Sequence, residues 1–229
     1  MVFSSTIFLF IFLPALFSLY FLAPRSARNY ILLLASLIFY AWGEGFFVLV
    51  MLISIVLNHF AGIWIDHFRN TRHSKLILTA AVIGNLSLLG VFKYYSFILE
   101  NANILLPHLG LPVINFSPIH LPIGISFFSF QAISYVVDVY RNAAPVAPNL
   151  SRTALYISLF PQLVAGPIIR YHDIATQLIK RRVTLDDFSY GVRRFIIGLA
   201  KKVLIADTLG RVADQIFDLP ASNLTTSIS

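Results

Sequence analysis

The chain has 229 residues, 58% of them hydrophobic and only 12% charged, with a net charge of +7 and no cysteine. Soluble domains carry about a quarter charged residues, so this chain lacks the polar surface that a water-facing fold needs. Absent cysteine excludes disulfides and thiolate metal sites but leaves the compartment open. The basic excess does not suit a nucleic-acid binder, which sets Lys and Arg on a solvated face among aromatics. Here the basic residues fall in short gaps between apolar runs: Arg25 and Arg28; Arg69, Arg72 and Lys75; Arg141 and Arg152; Arg170 through Arg194. That segregation is the positive-inside pattern of a multi-pass membrane protein.

Val2–Ala23, Gly45–Ile65 and Asn101–Val137 contain no Asp, Glu, Lys or Arg, and each is long enough to cross the roughly 30 Å hydrocarbon core as a helix. The first run, about Phe3–Ala23, lacks a basic n-region and is followed by its positive charges. It therefore reads as an uncleaved span with its N-terminus outside, kinked at Pro14. Tyr30–Trp42 and Phe46–Ile65, broken at Gly43-Glu44-Gly45, read as a helical hairpin. Asp66–Lys75 is a basic, cytoplasmic loop. Leu76–Leu99 returns outward, with Lys93, Tyr94 and Tyr95 at an interfacial belt.

Glu100–His120 has no basic residue, and Pro107, Pro112, Pro118 and Pro122 lie in or beside it. It reads as an extracytoplasmic loop, with a dip back into the membrane as the alternative. Leu121–Tyr140 heads inward and ends near Asp138 and Arg141, which are spaced to pair at a helix end. Thr153–Ile169 is apolar, is flanked by Arg152 and Arg170, and contains Pro161, Gly166 and Pro167. With both flanks preferring the cytoplasm it reads as re-entrant, and such irregular backbone persists at depth only inside protein or along a cavity. In Tyr190–Asp207, Val192, Phe195, Ile196, Leu199, Val203 and Ala206 share one helical face, opposite Arg194 and Lys201. This is an amphipathic interfacial helix whose basic side suits anionic lipid or a negatively charged partner or substrate. Pro220–Ser229 is polar and reads as an arbitrary stop.

No catalytic constellation stands out. G-x-S-x-G, Walker-type and H-E-x-x-H patterns are all absent, so a metal site has little support. Of six histidines, His67, His73 and His172 read as solvated loop residues, and His108 and His120 have no carboxylate nearby in sequence. Asn58 and His59 lie inside a span. They are either a hydrogen-bonded structural pair or cavity-facing functional groups.

Three ordered stretches resemble the membrane-bound O-acyltransferases, specifically their alginate O-acetyltransferase branch. They are Leu121-Pro122-Ile123-Gly124-Ile125-Ser126-Phe127-Phe128 running on through Gln131 to Tyr140-Arg141; Leu159-Phe160-Pro161-Gln162-Leu163-Val164-Ala165-Gly166-Pro167-Ile168; and Lys201-Lys202-Val203-Leu204-Ile205-Ala206-Asp207. Met1-Val2-Phe3-Ser4-Ser5 and Ile38-Phe39-Tyr40-Ala41-Trp42 resemble that branch as well. The resemblance implies an all-α, polytopic fold of tilted helices with re-entrant segments and a cytoplasmic interfacial helix. Residues 1–229 would form the N-terminal part of a single membrane domain, ending before the catalytic segment.

It further implies an acetyl transfer from a cytoplasmic thioester, acetyl-CoA or another acyl donor, to hydroxyls of an exported polysaccharide. Alginate is the expected acceptor, other secreted or cell-wall polymers the alternative. No bound cofactor, metal or nucleic acid is implied. The implied partners are the bilayer, the polysaccharide and periplasmic acetyl-transfer and export proteins, at a bacterial inner membrane. The family's catalytic histidine lies in a Trp-His-Gly context absent here, and both Trp42 and Trp64 lack that setting, so no histidine of this chain inherits the role. Pro122, Gly124, Ser126, Gln131, Gly166 and Pro167 would line the substrate funnel, with ordinary helix packing as the alternative. Arg170, Lys201 and Lys202 would attract the phosphate-bearing donor, unless the positive-inside rule alone explains them. A transporter or channel is the rival reading, although no paired repeat supports it.

Overall fold

The computed structural model describes residues 3–163, 166–181 and 183–219, and every regular element among them is helical. The chain divides into two compact units, one over Ile11–Arg181 and one taking the described residues of 2–10 and 182–229. The closing run Pro220–Ser229, and Val164 and Ala165 of the second motif, lie outside the described residues.

In the first unit the helices are α1 (Leu13–Leu22), α2 (Arg28–Glu44), α3 (Val48–His67), α4 (Arg72–Leu105), α5 (Ile125–Tyr140), α6 (Leu150–Ser158), α7 (Phe160–Leu163) and α8 (Tyr171–Ile179). Among the described residues two helical runs are long and apolar enough to cross a membrane, Arg28–His67 and Arg72–Leu109, while Phe8–Leu22 and Ile125–Tyr140 are apolar but shorter. The first span is therefore shorter than the charge-free run suggests. Pro14 sits in the first turn of α1, just after a π-helical turn at Phe8–Phe12. Proline has no N–H to donate and crowds the carbonyl one turn back, and a start position with a widened turn ahead relieves both conflicts.

The hairpin drawn from Tyr30–Trp42 and Phe46–Ile65 is not zipped along its length. The chain turns at Gly45, where φ is 52°, through a 3-10 turn at Gly45–Phe47. Beyond it α2 packs mainly on α1 and α6, whereas α3 packs mainly on α4, α5 and α6. The sequence also underestimates α4. It runs 34 residues, or about 51 Å at the helical rise of roughly 1.5 Å per residue, so Glu100–Leu105 is helix and not loop. The return is pinned by Asn103, whose side chain donates to the Ile114 carbonyl (2.9 Å) and accepts its N–H (2.8 Å).

The core is built around α5. Phe128, Ala132, Tyr135, Val136 and Val139 are fully buried, together with Met51 and Ile55 of α3. Phe12, Phe39 and Phe160 form a ring cluster with centroids 5.3–5.8 Å apart that ties α2 and α7 to the segment entering α1. Polar side chains inside the long helices pair with each other. Asn58 and Asn85 exchange side-chain hydrogen bonds of 3.1 and 2.8 Å between α3 and α4. His59 Nδ1 lies 2.9 Å from the Thr153 hydroxyl of α6. Both residues thus serve helix pairing, each through its own partner on another helix and not as a pair with one another. Leu34, Ile53, Leu57, Leu76 and Ile83 remain largely exposed, an apolar surface that lipid accommodates and water does not.

In the second unit α9 (Leu185–Ala200), a π-helical turn (Lys201–Ala206) and α10 (Asp207–Phe217) form one helical run, longer at both ends than Tyr190–Asp207. Thr184 and Asp187 make a capping box at its start. The Thr184 hydroxyl accepts the Asp187 N–H (3.1 Å), and the Asp187 carboxylate accepts the Thr184 N–H (3.1 Å) and its hydroxyl proton (2.6 Å). No residue of this run is buried.

Candidate functional site

The two helix-breaking motifs converge on the short α6–α7 segment. Asn149 caps α6 by accepting the Arg152 N–H (3.2 Å), and Thr153 through Ser158 are all buried. At nine residues, or about 14 Å, the helix is too short to cross a bilayer. It stops at Leu159, one residue before Phe160, whose N–H donates to the Ser36 hydroxyl of α2 (3.3 Å). Gln162 then reaches back, its Nε2 donating to the Tyr156 carbonyl (2.6 Å), a group near the helix end without a helical partner.

Gly124 and Gly166 both close on α7. Gly124 has φ 79°, and a Cβ there would stand 2.8 Å from the Leu163 carbonyl oxygen. At Gly166 a Cβ would fall 2.5 Å from the Gln162 Cα and 2.8 Å from the Pro161 carbonyl oxygen. Both positions have backbone where a side chain would be, so these glycines set how closely the loops approach. Pro122 is buried beside Gly124, Ser126 is half-buried, and Pro167 is exposed.

Gln131 differs from the rest. Its side chain is fully buried in α5, yet among the described residues neither its amide nitrogen nor its amide oxygen has a partner. The Ser129 hydroxyl, the Tyr40 hydroxyl and the Gln162 Oε1 are likewise buried and unpaired. Each such group costs about 1–3 kcal/mol relative to its hydrated state, so buried polar groups are normally satisfied.

At the other end of α5 the structure corrects two sequence readings. Asp138 does not pair with Arg141. Its carboxylate accepts the His172 backbone N–H (3.0 Å) and faces the His172 Nδ1 (3.1 Å). His172 is therefore not a solvated loop residue. Its Nε2 in turn lies 3.1 Å from Asp173. Ser134 completes the stitch by accepting the Tyr171 N–H (3.2 Å). A carboxylate stands at each ring nitrogen, and the cluster works as a clasp between α5 and α8. The carboxylates stand on opposite sides of the ring, and among the described residues no group of three His, Asp or Glu could hold a metal ion. His120, expected to lack a carboxylate, lies 3.2 Å from the buried Glu44.

The donor-side candidates fall in different units. Arg170 precedes α8 in the first unit; Lys201 and Lys202 belong to the second, where Lys202 pairs with Asp207 (2.9 Å).

Comparison with known proteins adds the following. A protein of Pseudomonas syringae pv. tomato named "Probable alginate O-acetylase" is 43% identical over 220 residues, covering 96% of this chain and 42% of the relative. A protein of the same name from Azotobacter vinelandii is 42% identical, covering 96% and 44%. A peptidoglycan O-acetyltransferase of Helicobacter pylori is 32% identical, covering 97% and 47%. The chain thus spans less than half the length of these relatives. No family model matches it, and no solved structure matches it at a significant level.

Proposed function

We propose that this chain, homologous over nearly all its length to proteins named alginate O-acetylase, is part of a membrane-bound O-acyltransferase of that branch. In this reading it contributes the N-terminal helices and the funnel wall of an enzyme that moves an acetyl group from a cytoplasmic thioester to hydroxyls of an exported polysaccharide. The observation that carries the reading is the extent of the likeness. An alignment covering 96% of the chain leaves too few residues outside it to omit any of the three internal motifs. Alginate is the acceptor proposed first, because the most similar relatives carry that name.

The geometry supports a division of labour. The broken α6–α7 segment, closely approached by the backbone at Gly124 and Gly166, supplies irregular backbone at the core of the bundle, which a membrane tolerates only around a cavity or inside protein. Gln131, Ser129 and Gln162 offer buried donors and acceptors that fix the orientation of a bound chain. The general base that takes the proton of the acceptor hydroxyl is proposed to lie in the part of the relatives' length that this chain does not span. His172 and His59 are already engaged by neighbouring side chains. A base positioned on that proton typically contributes about 10²–10⁴-fold in rate.

The test is a chimera in which the aligned 220 residues of the Pseudomonas syringae relative are replaced by this chain. In a host lacking its own acetylase, the chimera should restore acetyl esters on alginate. A chimera that reaches the membrane folded and leaves alginate unacetylated overturns the proposal.

A further inference from the structure

Two arginines far apart in sequence meet on one tyrosine. The Arg28 guanidinium lies 5.2 Å, and that of Arg181 5.6 Å, from the ring centroid of buried Tyr20. Each is held by one hydrogen bond: Arg28 Nε donates to the Ala23 carbonyl (3.3 Å), and an Arg181 terminal nitrogen donates to Asn29 Oδ1 (2.6 Å). Asn29 is itself fixed, its Nδ2 donating to the Leu178 carbonyl (2.7 Å). A guanidinium has five N–H donors, so most of both forks remain uncommitted. Among the described residues neither arginine forms an ion pair. Arg25 and Lys180, both exposed, are their near neighbours in sequence and add to the positive field.

Two guanidinium groups at one ring, each with uncommitted N–H donors, concentrate positive charge that an anion can meet. Planar guanidinium pairs match the oxygens of a phosphate group. We infer that Arg28 and Arg181, aligned by Tyr20 and Asn29, bind the phosphate of an anionic lipid headgroup. Lipid is favoured over a soluble phosphate because apolar side chains close by in sequence are open: Leu19 is 58%, Leu22 86% and Ile179 56% exposed. A headgroup on the arginines would lay its acyl chains along that surface, which a soluble anion would leave bare. The inference rests on the membrane location alone and is read without turnover, so it stands or falls separately from acyl transfer.

The test uses the whole 229-residue chain in non-ionic detergent, titrated with dioleoyl phosphatidylglycerol or dioleoyl phosphatidylcholine, with bound lipid counted by native mass spectrometry. The expected preference for phosphatidylglycerol is about tenfold or more, the order that two interfacial arginines provide. R28Q/R181Q should abolish it while R141Q, another basic position, keeps it. R28K/R181K, which retains charge but not the fork, should lower it severalfold and guards against a glutamine variant that does not fold. A preference unchanged in R28Q/R181Q, or undiminished in R28K/R181K, overturns the site. Displacement of the lipid by inorganic pyrophosphate at equal concentration overturns the lipid assignment.

Discussion

Gly124 lies against the backbone of Leu163, so close that a Cβ would stand 2.8 Å from the Leu163 carbonyl oxygen. This relationship joins the first internal motif to the second and fixes the entry to α5 against α7. G124A should therefore destabilise the chain by about 2 kcal/mol or more. The left-handed conformation costs an L-residue roughly 1–2 kcal/mol, and the carbonyl contact adds to it. G110A is the control, because Gly110 also has positive φ but open space around it. Thermal unfolding in detergent should show G124A melting well below G110A; equal melting temperatures would show that the contact does not matter.

The Asn58–Asn85 pair makes a second prediction. N85L leaves the buried Asn58 Oδ1 without its donor and should cost about 1 kcal/mol, in line with interhelical hydrogen bonds in membranes. N58L/N85L removes both polar groups and should be less damaging than the sum of the two single changes. Additive losses in a double-mutant cycle would mean that the two asparagines are not coupled.

How far the sequence speaks can be judged from these same residues. Gly124 and Gly166 are legible as breaks because glycine within an apolar run interrupts a helix, and their common contact with α7 follows from the fold alone. Charge segregation anticipates the long apolar helices without revealing that α4 extends past Glu100. Glutamate is a good helix former, and the flanking apolar residues carry the less favourable Asn101 and Asn103 into the helix. The Asp138–His172 clasp spans 34 residues and carries no local signature. Proximity in sequence instead suggested Arg141, an i+3 neighbour that side-chain direction does not bring into contact. Gln131 stood out only through the motif around it, since its lack of partners is a property of burial.

A pH dependence follows at the second unit. Hydrogen bonds from the Thr184 hydroxyl and backbone N–H hold the Asp187 carboxyl below the ordinary carboxylate value of 3.8. A depressed carboxylate contributes stability that is present above the unfolded value and lost as pH falls through the folded one. Hydrogen exchange of the amides at 185–188 should therefore accelerate as pH falls below about 4, after correction for the intrinsic rate. D187N should lack that step. A step of the same size in D187N would assign it to another group.

The absence of native cysteine permits a clean topology measurement. T71C should be inaccessible and N115C accessible to a membrane-impermeant maleimide added outside intact cells, as the basic loop is expected to stay cytoplasmic. Labelling of T71C from outside would reverse the orientation.

The most direct measurement concerns Gln131, whose buried amide has no partner among the described residues. Q131L, made in the chimera described above, carries two readouts of opposite sign. Replacing an unpaired buried amide by an apolar side chain of similar size should leave stability unchanged or raise it, by about 1 kcal/mol. If the amide serves a bound substrate, transfer of radiolabelled acetyl groups to alginate should fall by about tenfold, the worth of one hydrogen bond at roughly 1.4 kcal/mol. A protein that melts no lower than the parent yet transfers acetyl groups about tenfold more slowly is the predicted result. Q131L that transfers at the parental rate would contradict the placement of substrate in the α5–α7 interior.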